Sequence, residues 1–442
     1  MKTKFLVATF FLLISVLQVQ AQEKVWTLQD CINYALDKNV QVKKAGLTND
    51  KNQLYSEKAQ ASRLPSLNAS ISQNFNWYKG FDSSTGTYGS SNGSNSSNYS
   101  VNSSVSLFNG QKIDNQIKVA EINLQAGQYY SETVKESVGI NILNAYLQVL
   151  YATESVSNAE KQIVSTTEQL NLAKERLDLG VISMSDYLQV KSQLATEKST
   201  LATAQSNLSI YKVTLMQLME LPVEDNFKIG TPNLDSLLVQ NSRPNAQEVY
   251  NLALGIKPQI KNAELTKQSA ELNVKIAKAD AAPSLSMNAG LSSGYSSLTK
   301  GADYGSQLKN KVNPAVGFSL SIPIFQRKQI KTNIGVAAIA VDEASLDEIN
   351  TKNELRKSIE QACLDVFSAH SKYAASLDEK QSAQESYDVA EEKYKLGLLN
   401  SVDYLIQKTN LITSESKLLQ AKYSVIFSTK VLDFYKGISL TL

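Results

Sequence analysis

Residues 65–77 read Pro65-Ser66-Leu67-Asn68-Ala69-Ser70-Ile71-Ser72-Gln73-Asn74-Phe75-Asn76-Trp77. Leu67, Ala69, Ile71, Phe75 and Trp77 take alternate positions, with Gln73 the exception, and Asn68, Ser70, Ser72, Asn74 and Asn76 fill the places between them. A period of two puts the two sets on opposite faces of a β-strand. Residues 79–98 are largely Gly, Ser, Asn and Thr and read as a long flexible loop. A second alternating run then returns through Tyr99, Val101, Val105 and Leu107, so the stretch predicts a β-hairpin over about 66–108.

The pattern recurs. Leu285, Met287, Ala289 and Leu291 alternate with Ser286, Asn288, Gly290 and Ser292, a loop covers about 296–311, and Val316, Phe318, Leu320 and Ile322 alternate with Gly317, Ser319 and Ser321. This predicts a second hairpin over about 284–325. None of the four strand windows contains a charged residue, although 19% of the chain is charged. An apolar face opposite a small polar face suits a strand between lipid and a watery lumen. A soluble sandwich would put bulky residues on its inner face, and here that face is Ser, Asn and Gly. Four strands cannot close a barrel, and open edges are not tolerated in lipid. The barrel must therefore be shared between chains. Eight strands from two chains would be filled by side chains, whereas twelve from three leave a passage, so a homotrimer is expected.

Working outward, the whole chain is duplicated. Residues 35–67 align with 253–285, pairing Ala35-Leu36 with Ala253-Leu254 and Pro65-Ser66-Leu67 with Pro283-Ser284-Leu285. Later, Leu179-Gly180 matches Leu396-Gly397, and Asp186-Tyr187-Leu188 matches Asp403-Tyr404-Leu405. Two structural repeats, 22–230 and 231–442, follow. Each reads helix, hairpin, very long helix, tight turn, helix. The first helix opens with a capping-box pattern at Thr27 and Asp30 and is expected to run to about Arg63. The long helices, about 111–177 and 328–394, would each measure roughly 100 Å, and the shorter ones, 183–219 and 246–280, roughly 50 Å. Two shorter helices stacked end to end would match one long one, with the Pro-containing segment 220–245 as the joint. Leu355, Ala362, Ala369, Ser376, Ala383 and Ala390 recur every seven residues beside Ile359, Val366, Tyr373, Lys380, Tyr387 and Tyr394, which is a coiled-coil seam with small residues for close approach. The predicted class is mixed, mainly α with membrane β: long coiled α-hairpins in a helical barrel, plus four strands of a shared trimeric β-barrel.

The turns between long and returning helices are the sharpest local motifs, within tips at about 177–186 and 394–403. Gly180 and Gly397 suit the left-handed position after a helix, while Ser183 and Asn400 suit the N-cap of the next, with Asp186 and Asp403 three residues on. Capping accounts for these residues but not for Val181-Ile182 and Leu398-Leu399. Two readings stay open: packing between neighbouring tips, or docking onto a partner through Gly180, Val181, Ile182, Ser183, Gly397, Leu398, Leu399 and Asn400.

The remaining features bound the function. Lys2 and Lys4, the apolar run Phe5–Val19 and Val19-Gln20-Ala21 read as a secretory signal peptide, 1–21, with no Cys at the junction for a lipid anchor. A formal charge of +2 implies no polyanion-binding surface, so nucleic acid is not an expected partner. Cys31 and Cys363 lie on helix faces beside apolar residues and read as free, buried thiols. No phosphate-binding loop, metal cluster or catalytic constellation stands out, and the single histidine, His370, lacks partners for a triad, so neither catalysis nor a cofactor is expected.

The two tips, the two Pro-Ser-Leu strand entries and the strand exit Ile322-Pro323-Ile324-Phe325 resemble the TolC-like outer membrane efflux protein family across essentially the whole mature chain. The resemblance implies a trimeric channel-tunnel in the bacterial outer membrane, with its helical part in the periplasm. It also implies docking to a periplasmic adaptor protein and an inner-membrane pump of the RND, ABC or a similar class. It implies a periplasmic constriction of acidic residues before the second tip, where Asp388 and Glu391 match best and Glu392 is adjacent; acids on a helix otherwise read as a solvated face. In the first copy these two positions hold Asn171 and Lys174. A periplasmic adaptor would carry one hairpin flanked by soluble β-domains, and a surface-exposed structural coiled coil is the other alternative.

Overall fold

The computed structural model describes residues 24–234, 238 and 244–442. The expected signal segment lies outside them. In chain order the elements are β1 (Val25–Trp26), α1 (Leu28–Lys38), α2 (Val40–Ala61), β2 (Ser66–Asp82), β3 (Thr87–Phe108), α3 (Lys112–Asp178), α4 (Met184–Leu218) and β4 (Lys228–Ile229). They continue with α5 (Ala246–Ile256), α6 (Pro258–Ala279), β5 (Ser284–Ser296), α7 (Tyr304–Asn310), β6 (Asn313–Ser321), α8 (Gln329–Lys395) and α9 (Ser401–Tyr435). Two compact units emerge: one holds the chain up to Gly46, Ser131–Pro258 and Lys352–Leu442, and the other holds Leu47–Tyr130 and Gln259–Thr351.

The second unit contains one four-stranded antiparallel sheet in the order β2-β3-β5-β6. The register aligns the sequence stripes across strands. Ala69, Val101 and Leu291 form one row of the apolar face, and Val105, Met287 and Phe318 another. The opposite face carries the rows Ser70-Ser100-Ser292-Asn313 and Ser66-Ser104-Asn288-Gly317. Ser70 and Ser100 share a 2.7 Å hydroxyl hydrogen bond, and Ser66 and Ser104 one of 3.0 Å. Every residue of β2 and β6 is exposed in the single chain, so neither face of these outer strands meets a protein core. Below the sheet the helices are tied by Arg63 to Asp114 at 2.6 Å, Lys112 to Asp280 at 2.6 Å and Lys267 to Glu348 at 3.1 Å.

Two loop expectations are corrected here. Residues 79–98 are not a long loop: β2 and β3 stay paired to Asp82 and Thr87, leaving a tight turn in which Gly86 has φ +65° and the Asp82 carboxylate accepts from Ser84. The Phe81 and Tyr88 rings, 5.1 Å apart, clasp its end. Ser, Asn and Gly are poor strand formers in isolation, but a paired ladder overrides that preference. The region 296–311 contains α7, capped by Asp303 and fixed by buried Gln307, whose Oε1 accepts from the Ser296 backbone at 3.0 Å.

The first unit is built on long helices. Thr27 and Asp30 form the capping box of α1. The first helix then breaks at Asn39, where one unbroken helix was expected, and the next breaks at the equivalent Lys257. Asn39 leaves the helical region with ψ 130°, its Oδ1 accepts from Gln41 N, and its Nδ2 donates to Leu218 O at 2.9 Å. Lys257 is forced out of the helix by Pro258, whose ring disfavours helical geometry in the residue before it. Cys31, Ile142, Leu143, Val149, Leu215, Met219 and Phe227 form the core, and the short parallel pair β1–β4 lies beside it. Tyr146, wholly inside, donates to the Gly230 carbonyl at 2.7 Å. The coiled-coil seam is buried at Leu355, Ile359, Ala362, Val366, Ala369, Tyr387, Ala390 and Tyr394. Both cysteines are buried, and neither is in a disulfide. No described helix is long and apolar enough to cross a membrane.

Candidate functional site

The two turns close the helical hairpins of the first unit with the same backbone geometry. In the first, Gly180 N donates to Leu177 O at 2.9 Å and Val181 N to Arg176 O at 2.8 Å, with φ of Gly180 at +70°. In the second, Gly397 N donates to Tyr394 O at 3.1 Å and Leu398 N to Lys393 O at 2.8 Å, with φ of Gly397 at +74°. These paired bonds define a Schellman motif, which satisfies the last carbonyls of each long helix. Ser183 and Asp186 then form a full capping box on α4, and Asn400 Oδ1 accepts from Asp403 N at 2.9 Å on α9.

The tips are also tied to each other. Arg176 reaches from the end of α3 to the end of α8, donating Nη1 to Tyr394 O at 2.8 Å and Nη2 to Lys395 O. The Ser401 hydroxyl bonds to Asp186 and to Gln189 Oε1, the latter at 2.6 Å. The hydrogen bonds from Ser401 and Ser183 hold the Asp186 carboxyl below the usual carboxylate range.

This frame sorts the apolar tip residues. Val181 is 66% exposed and Leu398 74% exposed, and neither enters a core. Ile182 is half-buried, and Leu399 packs against the cluster of Tyr387, Ala390, Tyr394, Tyr404 and Leu411. Leu179, Met184 and Leu396, which the sequence reading left aside, are also exposed beside the turns.

The three acids differ as well. Glu391 is half-buried; its Oε1 accepts from the Tyr387 hydroxyl at 3.1 Å and its Oε2 from Lys395 Nζ at 3.0 Å. Glu392 also accepts from Lys395, at 3.3 Å, and the two carboxylates together raise the Lys395 ammonium above its ordinary value. Asp388 is exposed and accepts only from Gln384 Nε2 at 2.8 Å; no cation pairs with it among the described residues.

Behind these residues lies a polar network that the sequence reading missed. Lys408 on α9 and Glu197 on α4 are 3% and 4% exposed, with Nζ and Oε1 3.7 Å apart. Lys408 Nζ also bonds to Thr166 and donates to Gln169 Oε1 at 3.0 Å, and Gln169 Nε2 donates to the Tyr387 hydroxyl at 3.0 Å. Tyr387 in turn meets Tyr404 at 3.0 Å and Glu391. Four helices are thus joined by one chain of hydrogen bonds that ends at the acidic face. Burial depresses the Lys408 ammonium pKa, opposed by Glu197.

His370 is half-buried, its Nε2 without a hydrogen-bond partner among the described residues, and no nucleophile or acid bonds to it. Among the described residues no group of His, Cys, Asp and Glu could hold a metal ion.

Comparison with known proteins places this geometry. The family model for the outer membrane efflux protein matches residues 31–220 and 249–435. The chain is 24% identical over 334 residues to the outer membrane efflux protein BepC of Brucella suis, covering 74% of this chain and 69% of that protein. It is 26% identical over 311 residues to the outer membrane protein TolC of Escherichia coli, covering 67% of this chain and 60% of that protein. Among solved structures, CusC superposes with a TM-score of 0.82 at 19% identity, covering 95% of this chain and 96% of that one. The Campylobacter jejuni CmeC outer membrane channel gives 0.78 at 20% identity, covering 94% and 87%. Both likenesses extend to the present fold of long helices with a four-stranded sheet.

Proposed function

Because the chain belongs to the outer membrane efflux protein family and is an outer-membrane efflux channel by that membership, we propose that three copies close one passive export duct. The observation that carries this is the sheet. It has an apolar face and a Ser/Asn face, and its outer edges, β2 and β6, have no neighbour beyond them. β6 runs antiparallel to β2, so β6 of one chain can continue the ladder onto β2 of the next. Such a head-to-tail contact repeats until the ring closes, and three copies give twelve strands around an open lumen.

Family members are transport channels rather than enzymes. The work of moving cargo would fall to an inner-membrane pump, reached through a periplasmic adaptor. Val181 and Leu398 are the surfaces for that docking: they are apolar, exposed and held out by turns whose geometry does not depend on them. Leu399 and Ile182 support the tips from within. Of the acids, Asp388 is the one free to line a constriction, since Glu391 and Glu392 share Lys395. The Ser401–Asp186 and Arg176–Tyr394 bonds hold the two hairpins of one chain together at that level.

The test is electrical. Protein purified from outer membranes and added to a planar lipid bilayer should insert in uniform steps of small conductance, and Asp388→Ala with Arg176→Ala should enlarge each step. A protein that stays electrically silent in both forms would overturn the reading.

A further inference from the structure

We propose that Arg327, Lys328 and Lys331 form a headgroup site for anionic phospholipid at the inner-leaflet end of the sheet; the inference rests on the outer-membrane barrel reading above. It begins from β6. Val316, Phe318 and Leu320 lie on the apolar face of the sheet, Ile322 and Ile324 follow them in the chain, and all five are exposed, Ile324 at 93%. The ladder ends at Ser321, residues 322–326 stay out of helix, and Ile322 and Ile324 carry the alternation on in the sequence. At about 3.3 Å per residue and a tilt of about 40°, the nine residues of β6 rise roughly 23 Å, close to the roughly 25 Å apolar band of such a barrel. The three cations follow directly, where the band must end.

Their backbone is costly. Arg327 has φ +47° and Lys328 φ +65°, two consecutive left-handed residues that bear side chains. The equivalent turn of the first repeat has the same geometry but spends a glycine on it, Gly110 with φ +64°, followed by Gln111 with φ +65°. The neighbouring cations of that repeat are also occupied: Lys112 pairs with Asp280 and Arg63 with Asp114, each at 2.6 Å. In the second repeat Arg327, Lys328 and Lys331 are exposed, and none has an ion pair or side-chain hydrogen bond among the described residues. They also stand at the start of α8, where the helix dipole disfavours positive charge. A phosphodiester there would answer the cations and the helix end together, as charge complementarity and the adjoining lipid-facing row both require. Strain and unpaired charge are thus kept where a glycine and a carboxylate serve the other repeat.

The test uses the purified oligomer. Short-chain phosphatidylglycerol or phosphatidylcholine is titrated into the detergent-solubilised protein, and the temperature of trimer dissociation is read on a semi-native gel. Phosphatidylglycerol should raise that temperature for the wild type and phosphatidylcholine should not. In the triple variant Arg327→Gly, Lys328→Gly, Lys331→Gln the apparent phosphatidylglycerol affinity should fall by about fivefold per cation removed. Without lipid the variant should be at least as heat-resistant as wild type, because the glycines relieve the turn. The single variant Lys331→Gln, which leaves the turn intact, should lose about fivefold alone. An unchanged phosphatidylglycerol shift, an equal shift with inorganic phosphate, or a variant that no longer forms trimers would each overturn the proposal, the last by giving the cations to a second copy of the chain. A wild type that is monomeric from the outset contradicts the channel assembly instead.

Discussion

Val181→Asp and Leu398→Asp are each expected to abolish pump-dependent export while leaving the protein folded and in the outer membrane. The turn at each position is held by backbone bonds, Val181 N to Arg176 O and Leu398 N to Lys393 O, and by the left-handed glycine before it. Aspartate keeps those bonds. What changes is the surface offered to a partner, where an apolar side chain becomes a charge that docking would have to strip of water. An uncompensated buried charge of even about 2 kcal/mol weakens association by about thirtyfold. Cells should therefore lose export of the system's cargo, with normal amounts of the protein in their outer membranes. Wild-type export with either variant would remove these residues from the docking surface.

Lys408→Met is expected to have the largest effect on stability. It leaves the Glu197 carboxylate buried among α3, α4 and α9 with Thr166 and Gln193 as its remaining donors. Removing one partner of a buried ion pair costs about 3–5 kcal/mol, because the other charge keeps its desolvation without its counter-ion. The double replacement Glu197→Leu with Lys408→Met should recover most of that loss, since two apolar side chains of similar size need no partner. The urea midpoints of wild type, both single variants and the double variant provide the cycle. If Lys408→Met unfolds within about 1 kcal/mol of wild type, the pair is not the fastening inferred from its burial.

The fold was legible where the physics is local and repeated. Alternation in 67–77 and 285–292 revealed strands, the absence of charge revealed lipid, and the seven-residue spacing from Leu355 to Ala390 revealed the seam. Less visible were features set by neighbours distant in sequence. The β2–β3 hairpin runs on through Ser- and Asn-rich chain because each residue has a partner across the ladder, a fact that composition does not carry. The breaks at Asn39 and Lys257 were half legible: Pro258 marks the second, while Asn39 breaks its helix through a bond to Leu218. At the tips, Gly180, Ser183 and Asp186 announced the turns, but not that Asp186 would receive Ser401 from the other hairpin. Lys408 and Glu197 read as ordinary helix charges, because nothing in either helix reveals that Thr166 and Gln169 await them. The same applies to Glu391, whose ion pair with Lys395 leaves Asp388 as the acid proposed for the constriction.

The central claim is that four strands per chain close only as a ring of three. Its most direct measurement is a disulfide between the outer strands, in a background where Cys31 and Cys363 are replaced by alanine. Cysteines are placed at Ser319 on β6 and, in separate proteins, at Ser66, Asn68 or Ser70 on β2. Within one chain β2 and β6 are separated by two intervening strands, roughly 14 Å, which is beyond disulfide reach. Any bond must therefore join two chains. At the correct register, mild oxidation in outer membranes should yield one covalent product of three chains and nothing larger. Products that stop at two chains, or that extend beyond three, would contradict it.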